Sequence, residues 1–141
     1  MVTFITKIIK CTNIVVWNGF VYPEGINLSE IDDIIKKLNE QETVTKQCAD
    51  IWSLGNFGSD ADKATKQLIK ILYSKENWRI RTWAAWSLGR IGGRKSRKAL
   101  EKLIKSEEDD EIVYTEANNA LEWLIRSQEE IKPVNLFELT E

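Results

Sequence analysis

A chain of 141 residues that is 43% apolar, 30% charged and 9% aromatic has the balance of one compact globular domain, not of a disordered or collagen-like polymer. No run approaches the ~20 unbroken apolar residues of a membrane span, and Lys7 and Lys10 interrupt the apolar N-terminus, so a soluble cytoplasmic protein is expected. Histidine is absent and cysteine occurs only at Cys11 and Cys48, which leaves no imidazole base, no Cys/His zinc set and no C-x-x-C pair.

No catalytic residue, cofactor or metal is therefore expected. The two thiols are expected to stay reduced in an intracellular chain, with Cys48 packing as a small hydrophobe. The formal net charge of -2 conceals a strong asymmetry. Residues 1–62 hold 5 basic and 9 acidic side chains, residues 63–105 hold 13 and 2, and residues 106–141 hold 2 and 11, so the three segments carry -4, +11 and -9. A clustered charge of this kind sets a local potential and bears on partners more than on fold.

In chain order, residues 1–26 form an N-terminal extension. Its residues 2–10 suit either a third strand or a short helix. Ile14-Val15-Val16-Trp17, Asn18-Gly19 and Phe20-Val21-Tyr22 then predict a β-hairpin over 14–22, because Asn-Gly tolerates the positive φ of a type I′ turn, and Pro23 ends it. A lone hairpin is marginally stable, so it must pack on the rest of the molecule or on a second copy, which makes it a candidate homodimer contact. Asn27-Leu28-Ser29, with Ile31, Ile34, Ile35 and Leu38, predicts a capped amphipathic helix over 29–39.

Internal repetition organises the chain from there to residue 128. Ile51-Trp52-Ser53-Leu54-Gly55 recurs as Ala85-Trp86-Ser87-Leu88-Gly89 at an offset of 34, and Gly58 falls on Gly92. A weaker third copy places Ala117 and Leu121 on Ala84 and Leu88 at an offset of 33. Lys63-Ala64 with Leu68-Ile69-Lys70 recurs as Lys98-Ala99 with Leu103-Ile104-Lys105 at an offset of 35.

Each period thus holds two units, A and B. Ile80, Ala84, Ser87, Leu88 and Ile91 share one helical stripe in the second A unit, as do Ala99, Leu100, Leu103 and Ile104 in the second B unit. Gly55, Gly58 and Gly92-Gly93 read as helix stops, and Ser59-Asp60 and Ser96 as nearby starts. The repeats span about 42–75, 76–107 and 109–128. An acidic tail, 129–141, follows. Within it Pro133, Leu136, Phe137 and Leu139 stand among acids, which suits either a frayed end or a docking peptide. A helix pair has one apolar face and must stack to bury it.

The run Ile80-Arg81-x-x-Ala84-Ala85-x-Ser87-Leu88-Gly89-x-Ile91-Gly92 resembles the signature of short HEAT-like repeats of the phycobilin-lyase type. Repeat one departs from it with Asp50 where Ala84 stands, and repeat three with Glu122 in place of glycine. The resemblance covers residues 42–128. It implies an all-α, short right-handed solenoid with A helices on the convex side and B helices on the concave side, carrying the small hairpin extension at its N-terminus. The period of 33–35 also suits tetratricopeptide or ankyrin units, but neither the Trp-x-x-Leu-Gly nor the Thr-Pro-Leu-His pattern is present. Phycobilin lyases are longer chains, so no activity transfers. Deoxyhypusine hydroxylases of this repeat class hold iron through His-Glu motifs, which a chain without histidine cannot supply. In alkylpurine DNA glycosylases of HEAT-like fold an Asp works with aromatic and basic neighbours; Asp50 and Trp52 match that faintly, and no motif carries the activity over.

The charged surface is the most informative functional feature. Lys95, Lys98, Lys102 and Lys105 are spaced to form one helical stripe, with Lys63, Lys66 and Lys70 forming another on the preceding B unit. The repeat sets the stripes side by side on the presumed concave face. Trp78-Arg79-x-Arg81-x-Trp83-x-x-Trp86 interleaves indoles with guanidinium groups, the mixture of protein hot spots and of base-stacking surfaces. Trp52 and Trp86 occupy equivalent positions, suited to packing between repeats or to partial exposure.

The leading expectation is a non-catalytic protein-interaction scaffold that turns a basic concave face toward an acidic partner. Its candidate contacts are Lys63, Lys66, Lys70, Lys95, Lys98, Lys102, Lys105, Arg79, Arg81, Trp83 and Trp86. The alternative is a nucleic-acid-binding module that uses the same Lys/Arg/Trp surface.

Overall fold

A computed structural model describes residues 14–17, 20–23, 28–40, 43–106 and 110–130. Two short strands, β1 (Ile14–Trp17) and β2 (Phe20–Pro23), pair antiparallel with Trp17 opposite Phe20 and Ile14 opposite Pro23. The turn at 18–19, the reading of residues 2–10 and the tail 131–141 lie outside the described residues. The side chains that a hairpin-mediated homodimer would use lie outside them too.

Among the described residues six α-helices follow: α1 (Leu28–Leu38), α2 (Val44–Asn56), α3 (Thr65–Leu72), α4 (Trp78–Ile91), α5 (Gly93–Lys105) and α6 (Glu111–Glu130). Local chemistry sets several of their ends. Thr43 Oγ1 accepts from the Lys46 N–H at 3.4 Å to open α2, and Asn77 Oδ1 accepts from the Arg79 N–H at 2.9 Å to open α4. Asp110 Oδ1 accepts from the N–H groups of Ile112 and Val113 at 3.0 and 3.1 Å, and this capping carboxylate also complements the N-terminal dipole of α6. Between α4 and α5 the chain turns within a single residue. Gly92 and Gly93 take φ of 73° and 84°, a region that a Cβ strains, so both stop residues act as expected.

Three local readings need correction. Gly55 does not stop its helix: α2 continues through it to Asn56, and the positive φ lies beyond the helix end, at Gly58. The first B unit opens as a 3-10 segment, Gly58–Ala64, kinked at Ala61, before α3 begins at Thr65. Ser96 caps nothing. It is buried inside α5, which starts three residues earlier behind Gly92.

The apolar stripes meet in one core. Ile51 and Leu54 of α2, Leu68 and Leu72 of α3, Ile80, Ala84 and Leu88 of α4, Leu100 and Leu103 of α5, and Val113, Ala117 and Leu124 of α6 are all buried in it. α1 closes one end of this core through Ile31, Ile34 and Leu38. The helices form two layers. In one, α2, α4 and α6 pack consecutively along their length; in the other, α3 and α5 touch over a short stretch and lie mainly against α4 and α6.

Gly55 and Gly89 explain why the first layer is tight. A Cβ on Gly55 would lie 2.8 Å from Ser87 Oγ on α4, and one on Gly89 would lie 2.8 Å from the carbonyl oxygen of Ala120 on α6. Glycine lets the backbones approach to the distance that Ser87 exploits, its buried hydroxyl donating to the Ile51 carbonyl at 2.6 Å. The looser layer is tied by Tyr73, whose hydroxyl donates to the Ala99 carbonyl at 2.6 Å. Tyr73→Phe is expected to cost about 1 kcal/mol, the usual worth of one such bond, read as a small drop in melting temperature at unchanged helical content.

Candidate functional site

The inward stripe of α5 leaves Lys95, Lys98, Lys102 and Lys105 on its outward face, and α3 presents Lys66 and Lys70 the same way; all six are exposed. Lys63 departs from the expected stripe. It belongs to the 3-10 segment, and its Nζ sits 2.7 Å from Asp32 Oδ1 of α1, so part of its charge is answered from within the molecule. Glu101, the one acid in the α5 sequence, lies on the flank, where its Oε1 accepts from Arg97 Nε at 2.9 Å. Lys102 Nζ lies 5.4 Å from the ring centroid of Tyr73, a contact that links the two lysine-bearing helices.

The tryptophans and arginines do not join this face. On α4, residues 79, 83, 86 and 90 recur at helical spacing opposite the buried stripe of Ile80, Ala84, Leu88 and Ile91. α3 and α5 cover that buried side. Arg79, Trp83, Trp86 and Arg90 therefore look out from the α2–α4–α6 layer, while the lysines look out from the other. The single composite surface expected from the sequence is two surfaces, on opposite sides of the stack. Arg81 belongs to neither: half-buried, it donates from Nε to the Leu72 carbonyl at 2.9 Å and so holds the C-terminal end of α3.

The aromatic face extends across three helices. Trp52 on α2 is 49% exposed, Trp83 on α4 36% and Trp123 on α6 48%. Trp83 and Trp86 meet edge to face with centroids 5.5 Å apart. Arg90 continues the row, with Cζ 5.0 Å from the Trp86 centroid and 3.7 Å from that of Trp123. Arg79 lies over Trp78 at 5.3 Å.

Sequence reasoning passed over Arg90, Trp52 and Trp123 as contacts. The repeat offset held the signal, because Trp123 stands 33 residues after Arg90 and Trp52 stands 34 before Trp86. Glu116 stands 33 after Trp83, and burial raises its carboxyl pKa, while a hydrogen bond from Asn119 and the charge of Arg90 pull the other way.

Cys48 is a free, half-buried thiol packed against the core. Burial raises its pKa, with Arg79 opposing, so little thiolate is present near neutral pH. Among the described residues no group of three or more acidic or cysteine side chains could hold a metal ion, and no helix is long and apolar enough to cross a membrane.

A helix-pair stack with glycine-mediated close packing defines a class of repeat protein, and the comparison with known families agrees. The model of HEAT repeats matches residues 31–122, and the chain belongs to that family. Epoxyqueuosine reductases of Bacillus cereus and of Bacillus anthracis are similar to it, each 36% identical over 66 residues. That match takes in 47% of this chain and 17% of either reductase, so the chain spans only a small part of the length of these relatives. No solved structure matches. HEAT repeats generally serve as protein-interaction scaffolds.

Proposed function

We propose that the chain is a non-catalytic protein-interaction scaffold, acting in the cytoplasm, that turns the lysine face of α3 and α5 toward an acidic protein. The observation that carries this reading is the outward exposure of Lys66, Lys70, Lys95, Lys98, Lys102 and Lys105 on two neighbouring helices whose own sequences contain one acid between them. Such a surface raises the encounter rate with an acidic partner and sets its orientation. The resemblance to short HEAT-like repeats assigns the B-unit helices α3 and α5 to the concave side, so the lysines line that face.

Nucleic-acid binding through one joint Lys/Arg/Trp surface is the weaker reading, because the indoles and the lysines face opposite ways. The partial match to epoxyqueuosine reductases supports a shared repeat region; the reductase activity belongs to proteins of which this match covers 17%.

The test is affinity capture with the intact chain in its native host, beside a variant carrying Lys66→Glu, Lys70→Glu, Lys98→Glu and Lys102→Glu. A stoichiometric acidic partner should be recovered, and its affinity for the variant should fall at least ~10-fold, since four exposed pairs at a few tenths of a kcal/mol each are lost. A partner that binds the variant equally well rules the lysine face out.

A further inference from the structure

The α2–α4–α6 face is independent of the lysine face and has a different chemistry. Three large indoles stand exposed on α2, α4 and α6, with Arg90 against Trp86 and Trp123 and Arg79 on the same side of α4. Large exposed aromatic side chains gathered on one side of a fold mark a binding site, and Trp and Arg are the residues that dominate such sites. A guanidinium near an indole face carries five N–H donors, more than one contact uses, so it can also hold a carboxylate. The complement is therefore an extended segment with apolar side chains next to carboxylates.

We propose that this face receives residues 131–141 of the same chain. The segment reads Ile131-Lys132-Pro133-Val134-Asn135-Leu136-Phe137-Glu138-Leu139-Thr140-Glu141 and so pairs Leu136, Phe137 and Leu139 with Glu138 and Glu141. It follows directly on α6, the helix that carries Trp123. Trp123 lies seven residues before Glu130, or about 10 Å back along the axis. α4 and α2 succeed α6 at roughly 8–10 Å per helix. Eleven residues extend to at most about 36–40 Å, which exceeds the path to Trp86 and on to Trp52. Bound there, the segment shields the indoles and competes with any other ligand of the face.

The experiment is acrylamide quenching of tryptophan emission in the full chain and in a full-chain Leu136→Ser, Phe137→Ser variant, with circular dichroism to establish equal helical content. The variant should show stronger quenching and a red-shifted emission. A synthetic peptide of residues 131–141 should reverse both changes. Tethering supplies an effective concentration in the mM range, so a segment docked about nine-tenths of the time corresponds to a free-peptide Kd of about 0.1 mM.

Arg90→Ala in that background should weaken the peptide several-fold, whereas Lys98→Glu should leave it unchanged. Equal quenching in the two chains overturns the proposal. A difference that appears only at high protein concentration, together with dimer in sedimentation, overturns it in favour of contact between copies.

Discussion

Gly89→Val is expected to lower the unfolding free energy by about 3 kcal/mol and the melting temperature by roughly 10 °C. A glycine inside a helix ordinarily invites replacement, since alanine gains about 1 kcal/mol of helix propensity. Here the reverse holds. A Cβ at residue 89 would lie 2.8 Å from both the Cβ and the carbonyl oxygen of Ala120 and 3.0 Å from its Cα. Those atoms belong to the α6 backbone and to a side chain with no rotamers, so the helix itself must move. Gly89→Ala should already reduce stability by about 1 kcal/mol, with the clash outweighing propensity.

Gly55 provides the internal comparison. Its hypothetical Cβ meets Trp86 Cζ3 at 2.5 Å, the far end of a side chain that is only half-buried, although Ser87 Cα at 3.0 Å is fixed. Gly55→Ala should therefore cost less than Gly89→Ala in paired urea titrations. Equal costs would show that side-chain mobility at Trp86 does not relieve the contact.

That pair of glycines also shows what the sequence could and could not convey. The repeat of Leu-Gly at an offset of 34 is visible in one dimension, and so is the helical stripe beside it. Glycine, however, serves two needs, a positive φ and the close approach of another backbone. Gly92 and Gly93 fill the first need and Gly55 and Gly89 the second. Distinguishing them requires the neighbouring helix, which spacing alone does not provide. The 3-10 segment escaped for a related reason, because Ala61, Ala64, Leu68 and Leu72 are buried at intervals that a continuous helix would also produce.

The candidate site divides along the same line. A helical wheel correctly groups Lys95, Lys98, Lys102 and Lys105, and it groups Arg79, Trp83 and Trp86. It does not say which way each layer of a stack faces, so the two groups read as one surface. Arg81 looked like a second guanidinium in that run until α3 supplied the carbonyl it holds. The contact of Arg90 with Trp123 joins α4 to α6 and becomes legible only when the third repeat is laid on the second at an offset of 33.

The middle position of α4 gives the second large effect. Leu88→Ala is expected to cost about 3–4 kcal/mol, the range for a fully buried leucine whose surroundings collapse poorly. α4 packs on α2 and α6 within its layer and on α3 and α5 across it, so the cavity would be walled by helices already fixed on their far sides. Leu124 is equally buried, yet it lies on α6, which packs chiefly on α4 and α5 and can settle inward. Leu124→Ala should cost nearer 2 kcal/mol. In a stack where each repeat holds only its neighbours, weakening the central helix also uncouples the ends. Leu88→Ala should therefore broaden the urea transition, with a lower m-value, while Leu124→Ala shifts the midpoint at nearly constant m. Equal losses and equal slopes for the two variants would mean that the stack unfolds as one rigid unit and that the position of α4 confers no special leverage.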